Sequence, residues 1–301
     1  MPLPGPTGSA APVWATTALT AALILAGCAT VTDPAADEPT AGQIGPPASS
    51  VAEPDGSRLA GAYEPRVVAE YPHDPEAFTQ GLEWYDGALL ESTGLRGKSS
   101  VRRVDIATGE PLGRIDLDDR LFAEGLTVVD ERVIQLTWQD QTLVVTPLSA
   151  LAADPDGTPD YRADAYQGEG WGLCATTGAD GAPELIMSDG SATLTRRDPT
   201  TMAERSRVEV TLDGTAVSDL NELECVGDQV LANVWTTDTI LAIDADTGMV
   251  AATIDASALV PPGLTGTNDV LNGIAAGPDG TFYLTGKRWP VLYQVRFESV
   301  P

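Results

Sequence analysis

Glu124 and Lys287 are the two side chains of this sequence best suited to moving a proton or holding charge at a reaction centre. The chain carries 17 cations, of which only Lys98 and Lys287 are lysines. Arginine is the default surface cation here, so Lys287 stands out, while Lys98 reads as an accident of composition. A carboxylate such as Glu124 accepts or passes a proton. Lys287, with the amides of Gln80 and Asn221, can donate hydrogen bonds to a developing oxyanion. Trp138, Trp171 and Trp235, three of the six tryptophans, offer apolar walls for a small ligand with an apolar stem and an amide or ammonium head. His73 is the one histidine. No Ser or Cys has a His beside it, so a His-activated nucleophile is not expected, and neither is a multi-His metal centre.

A repeat accounts for how residues so far apart in the chain meet. Gln80-Gly-Leu-Glu83, Glu124-Gly-Leu-Thr127, Trp171-Gly-Leu-Cys174, Asn221-Glu-Leu-Glu224 and Asn272-Gly-Ile-Ala275 recur every 44 to 51 residues. Each opens an apolar run followed by a turn and a second strand, such as Ala88–Glu91 or Val230–Val234. A third strand ends in a recurring turn, as in Val104-Asp-Ile-Ala-Thr-Gly109 and Ile243-Asp-Ala-Asp-Thr-Gly248, and a fourth follows. Four antiparallel strands in each of five units predict an all-β, five-bladed β-propeller. A β-sandwich gives no reason for five in-register copies. Arg66–Tyr71 reads as a fourth strand placed before the first unit, and the last unit has only three strands. The N-terminal strand is therefore expected to complete the last blade and leave no exposed edge.

The first strand of a propeller blade lines the central channel, so the first repeat position brings Gln80, Glu124, Trp171, Asn221 and Asn272 to one mouth. Trp138 and Trp235 each lie 14 residues after such a position, and Lys287 lies 15 after. These offsets put all three at the same end of their blades.

Charge and the N-terminus bound the setting. With 44 acidic against 17 basic side chains, the net charge of −27 excludes a nucleic-acid or anionic-lipid surface, since both need a basic face. Trp14–Gly27 is an apolar run of signal-peptide length, although no Lys or Arg precedes it. Leu25-Ala26-Gly27-Cys28 resembles a bacterial lipobox, so residues 1–27 are expected to be a lipoprotein signal peptide and Cys28 the lipidated residue. Residues 28–62, rich in Pro, Ala, Gly, Asp and Ser, read as a flexible tether, and 63–301 as the folded domain. The expectation is an exported monomer, lipid-anchored on the outer face of the bacterial cell membrane or else secreted, touching the membrane only through its lipid.

Longer motifs carry a family resemblance. They are Tyr71-Pro-His-Asp-Pro-Glu-Ala-Phe-Thr-Gln-Gly-Leu82, Glu91-Ser-Thr-Gly94, Leu136-Thr-Trp138, Glu169-Gly-Trp-Gly-Leu173, Ala232-Asn-Val-Trp235 and Thr285-Gly-Lys-Arg-Trp-Pro290. With the repeat motifs, from about Tyr71 to Phe297, the sequence resembles the plant-type glutaminyl-peptide cyclotransferases, or glutaminyl cyclases, which are five-bladed propellers. The resemblance implies conversion of an N-terminal glutaminyl residue of a peptide or protein to 5-oxoproline with release of ammonia, without cofactor or metal. It implies active-site positions at Phe78, Gln80, Glu124, Trp138, Trp171, Asn221, Trp235 and Lys287; the repeat adds Asn272. Two alternatives stand beside it: a non-catalytic envelope propeller that binds peptides, and a metal-dependent lactonase-like propeller.

Other residues carry plainer expectations. His73 reads as a loop anchor and Trp289 as blade packing. Arg102-Arg103 and Arg196-Arg197 read as solvated strand-end charges. Glu222 and Glu224 either line the channel or hold a structural cation. Cys174 and Cys225 lie three and four residues after their repeat positions, offsets expected to turn them to opposite strand faces and leave both as buried free thiols.

Overall fold

The computed structural model describes residues 58–152 and 161–300. Signal peptide, Cys28 and nearly all of the expected tether lie outside them. Among the described residues there are 22 strands, short 3-10 turns and no α-helix, and no helix is long and apolar enough to cross a membrane. The fold is all-β and propeller-like, a series of four-stranded antiparallel units.

The first sheet runs Thr79–Tyr85, Ala88–Thr93, Ser100–Val104, Pro111–Asp116; the second Ala123–Val129, Arg132–Thr137, Thr142–Pro147, Arg162–Ala165. The third runs Leu173–Thr177, Pro183–Met187, Thr193–Arg197, Glu204–Glu209. An eight-stranded sheet follows. Half of it is Leu220–Val226, Gln229–Val234, Thr239–Asp244 and Val250–Asp255; the other half is Gly61–Pro72, Val291–Ser299, Phe282–Gly286 and Leu271–Ala276. Gly61–Pro72 pairs antiparallel with Val291–Ser299, from Tyr63 opposite Ser299 to Pro72 opposite Val291. Its first residues also pair, in parallel, with Ala252–Ile254. This strand is longer than the expected Arg66–Tyr71, and the chain is engaged before it begins. Leu59 exchanges two hydrogen bonds with the Gln229 side chain, at 2.7 and 2.9 Å, and Arg58 pairs with Asp228 and Asp244.

In the third sheet the stretch that could supply one long fourth strand is divided. Glu204–Glu209 stays in the sheet, whereas Thr211–Leu212 folds back on Thr215–Ala216. Asp213 and Gly214, both at positive φ, supply the tight turn.

Apolar side chains alternate along each strand and fill the spaces between neighbouring sheets. Leu90 and Ile115 meet Leu126 and Val133; Ile134 and Leu143 meet Leu173 and Leu185; Ile186 and Leu194 meet Leu223 and Leu241. Leu231 and Ile254 pack on Ile274 and Leu284, and Ala275 and Leu292 pack back on Leu82 and Leu89 of the first sheet. The opening strands approach backbone to backbone, which explains the glycine at the second position of three repeat motifs, Gly81, Gly125 and Gly172, whereas Gly273 sits at a φ of +118°. A Cβ on Gly172 would stand 2.0 Å from the Asn221 carbonyl oxygen, and one on Gly81 2.6 Å from Leu126 N. The exception is Glu222, whose buried carboxylate accepts the backbone N–H of Leu82 at 3.3 Å and of Ile274 at 2.8 Å.

Two expectations fail. Cys174 and Cys225 form a disulfide with Cα atoms 5.4 Å apart. Neighbouring sheets stacked around an axis meet through opposite faces. The one-residue difference in offset that turns the two cysteines to opposite faces is what brings them together. Arg102 is not solvated but 2 % exposed. It lies directly across from Glu91 in the strand pair and holds that carboxylate through Nε at 2.9 Å, with Nη1 on Asp74 at 2.7 Å.

Candidate active site

A cavity of about 320 Å³ opens where the first strands of the sheets begin. Gln80, Glu124, Trp171 and Asn221, from four different opening motifs, all reach it, as do Phe78, Trp138, Trp235 and Lys287. One backbone contact recurs at this rim. The carbonyl two residues before an opening position accepts the N–H of the residue just past the second strand: Phe122 from Trp138 at 2.9 Å, Asp219 from Trp235 at 2.8 Å, Val270 from Lys287 at 2.9 Å. That bond fixes the two tryptophans and the lysine at equivalent points of their sheets.

Asn272 is the one expected site residue outside the cavity wall. It is fully buried behind Gln80, its Nδ2 donating to Thr79 O at 2.9 Å and to Gln80 Oε1 at 3.4 Å. Gln80 Nε2 in turn donates to Glu124 Oε1 at 3.0 Å, so Asn272 orients the amide that orients the carboxylate. The amide oxygen of Asn221 is buried without a hydrogen-bond partner, while the residue lines the cavity.

Electrostatics single out one pair. Burial pushes Glu124 well above the usual carboxylate range; Lys287 pulls it part of the way back and Glu169 adds to the rise. Burial lowers Lys287 to about 8, with Glu124 opposing. Both groups are about 95 % removed from solvent, so burial brings the carboxyl up and the ammonium down, the direction in which acid–base groups become useful. The Lys287 ammonium also lies 5.0 Å from the centre of the Phe78 ring, with the Arg288 guanidinium at 4.9 Å from the same centre.

The segment leading to Phe78 is held by a buried network. His73 Nδ1 lies 2.7 Å from the Trp289 carbonyl and must donate to it, and its Nε2 lies 3.0 Å from Glu91. Burial disfavours the His73 cation, but the charge of Glu91 and the hydrogen bonds to Glu91 and the Trp289 carbonyl together outweigh it and raise the imidazole above its ordinary value. Glu91 is itself held far below the usual range, the charges of Arg102 and His73 overcoming its burial. His73 faces Glu91 and the Trp289 backbone, the position of a loop anchor, and Trp289 is wholly buried.

Further along the axis, Glu83 accepts Val128 N at 2.9 Å and Glu224 accepts Ala276 N at 3.2 Å. Like Glu222 they bind backbone N–H groups of neighbouring opening strands. Burial lifts all three carboxyls, Glu83 to about 7. Among the described residues no three His, Cys, Asp or Glu side chains form a metal-binding group.

The cavity also includes Leu95, Phe122 and Asn268, and Glu169 accepts hydrogen bonds from two of its tryptophans. None of the four was anticipated. Phe122 and Glu169 sit two residues before Glu124 and Trp171, as Phe78 sits before Gln80, so the repeat held the information. Leu95 follows Gly94, whose N–H donates to the Phe78 carbonyl at 2.8 Å and so takes the place of Trp138, Trp235 and Lys287 in the first repeat; Asn268 lies in the loop before the opening strand Leu271–Ala276.

Comparison with known proteins places the chain in one family. The family model for glutamine cyclotransferase matches residues 43–297. A glutaminyl-peptide cyclotransferase of Arabidopsis thaliana is 41% identical over 242 residues, 78% of this chain and 72% of that protein. The crystal structure of Myxococcus xanthus glutaminyl cyclase superposes with a TM-score of 0.72 at 36% identity, covering 81% of this chain and 100% of that one.

Proposed function

This chain belongs to the glutamine cyclotransferase family, and we propose that it cyclises the N-terminal glutaminyl residue of peptides to 5-oxoproline at the cavity of Glu124 and Lys287. The observation that carries the proposal is a buried carboxyl, Glu124, and a buried amine, Lys287, that together line a tryptophan-walled cavity of about 320 Å³, burial raising the first and lowering the second to about 8. The substrate's α-amine, with an ordinary pKa of about 7.7–8.0, must be neutral to attack its own side-chain carboxamide. Folded between Phe78, Trp138, Trp171 and Trp235, the glutaminyl side chain meets its amine in attacking geometry. The amine nitrogen bonds to the carboxamide carbon. Glu124 takes the proton released and returns it to the departing nitrogen, and the carbon–nitrogen bond breaks to free ammonia. Lys287 and the Asn221 NH₂ stabilise the oxyanion between these steps. Gln80 holds Glu124 in place and keeps its second N–H for the substrate, while Asn272 acts only through Gln80.

The scaffold is read as a five-bladed propeller whose last blade is completed by Gly61–Pro72. In its favour, five opening strands recur and apolar clusters run from each unit to the next and back to the first. The protein is also proposed to be exported, lipid-anchored through Cys28 and monomeric. The Cys174–Cys225 disulfide supports export, because such bonds persist in oxidising compartments.

The test is ammonia release, with loss of the free amine, from a peptide beginning with Gln, in the presence and absence of EDTA. Turnover unaffected by EDTA is expected. A folded protein without turnover, or turnover abolished by the chelator, refutes the mechanism.

A further inference from the structure

The aromatic side chains of the cavity form an almost continuous edge-to-face series. Phe78 meets Phe122 at 6.1 Å between ring centres, Phe122 meets Trp138 at 5.7 Å, and Trp171 meets Trp235 at 5.5 Å. The one break lies between Trp138 and Trp171, at the ends of the second and third sheets. A carboxylate bridges it. Glu169 Oε1 accepts the indole N–H of Trp138 and, at 3.0 Å, that of Trp171, while its Oε2 faces Gln139 Nε2 at 3.4 Å.

We propose that Glu169 is a positioning residue of the active site, a single oxygen that fixes the separation and tilt of two aromatic walls on different sheets without touching the substrate. The inference rests on the cyclotransferase reading above. Three features carry it. An indole has one polar atom, a donor, and in a pocket wall that atom turns toward whatever accepts it. Two indoles sharing one acceptor are therefore locked to each other, and the charge of the acceptor strengthens both bonds. Among the described residues Glu169 has no cationic partner, so its charge is held by neutral donors alone, a use that surface solubility does not require. Finally, the flexible glutaminyl side chain is bound by the walls that enclose it, and walls free to tilt enclose it less tightly.

Kinetics of the full chain on a tripeptide beginning with Gln decide the matter, with thermal melting as the control for folding. Glu169→Ala frees both indoles, and kcat/KM is expected to fall about tenfold, in line with the loss of charge-assisted hydrogen bonds. The fall appears mainly in KM, and the melting temperature stays near wild type. Glu169→Gln keeps an acceptor oxygen and is expected to restore kcat/KM to within about threefold of wild type. An alanine variant within twofold of wild type overturns the proposal, as does a glutamine variant no better than alanine, or a loss confined to kcat. Inactive wild-type protein would instead refute the cyclotransferase reading, so the two failures are told apart.

Discussion

Removing the Cys174–Cys225 disulfide tests the sheet-to-sheet packing most directly, because its effect can be worked out in advance. The two residues are 51 positions apart, and the loop they close contains the rest of the third sheet and the hairpin Thr211–Ala216. In the chain-entropy account, closing a loop of that size in the unfolded state is worth about 4 kcal/mol at 25 °C. For a domain of this size each kcal/mol moves the melting temperature by about 2–4 °C, so the double variant Cys174→Ala/Cys225→Ala should melt about 8–16 °C lower. Alanine is preferred to serine because Cys174 is buried among Ile186, Leu194 and Leu223, where a hydroxyl would add a cost of its own. Neither cysteine lines the cavity, so kcat/KM at 25 °C should stay within about twofold of wild type while the domain remains folded. Calorimetry or circular dichroism reads the melting temperature, and wild-type protein with reductant should show the same drop. A loss below about 3 °C would refute the estimate. Two reactive thiols from these positions in unreduced, denatured wild-type protein would refute the bond itself.

Glu124→Gln removes the proton carrier but leaves an oxygen for the Gln80 bond, and kcat should fall by about 10²–10⁴; retention of more than a tenth of wild-type kcat in the ammonia assay removes Glu124 from that role. Burial holds the Glu83 pKa at about 7, against about 4.3 in an unfolded chain. The folded protein thus binds a proton that the unfolded chain gives up first, and stability present below that window is lost as pH rises through it. Glu83→Gln should therefore raise urea resistance at pH 8 and leave it nearly unchanged at pH 4, below the unfolded pKa, and equal effects at both pH values would contradict this. Arg102→Met leaves the Glu91 carboxylate buried beside His73 alone and should cost about 3–5 kcal/mol in denaturant unfolding; a loss under about 1 kcal/mol would show that the network does not hold the Phe78 segment.

Much of the scaffold is legible from periodicity. The opening strands and their glycines follow from repeated close approach of backbones, and the gathering of Gln80, Glu124, Trp171 and Asn221 follows from register alone. What escaped needed three dimensions. Asn272 has the same register as the wall residues, but its side chain turns behind Gln80, and the repeat does not encode that choice of rotamer. Arg102 looked solvated as one of an adjacent arginine pair, yet alternation in a strand sends one of the two inward, and the Glu91 that faces it lies on another strand. Cys174 and Cys225 do alternate to opposite strand faces, but neighbouring sheets meet through opposite faces, so the same alternation joins them. Phe122 and Glu169 were recoverable, since the position two before each opening strand repeats as faithfully as the opening itself. There the composition changes from Phe to Glu, Asp and Val, which hides the equivalence.

The seam between Gly61–Pro72 and Val291–Ser299 also constrains the order of folding. Tyr63 lies opposite Ser299, almost the full length of the domain away along the chain. The first strand to leave the ribosome can find its antiparallel partner only after the last one has followed. Pairing over such a span is slow, because ring closure must be met before any contact across it is made. The growing chain therefore carries an unsatisfied strand at its leading end until synthesis is complete. Under the export proposed above this delay is useful: a domain that cannot close early stays threadable, and it locks only once both of its ends are on the same side.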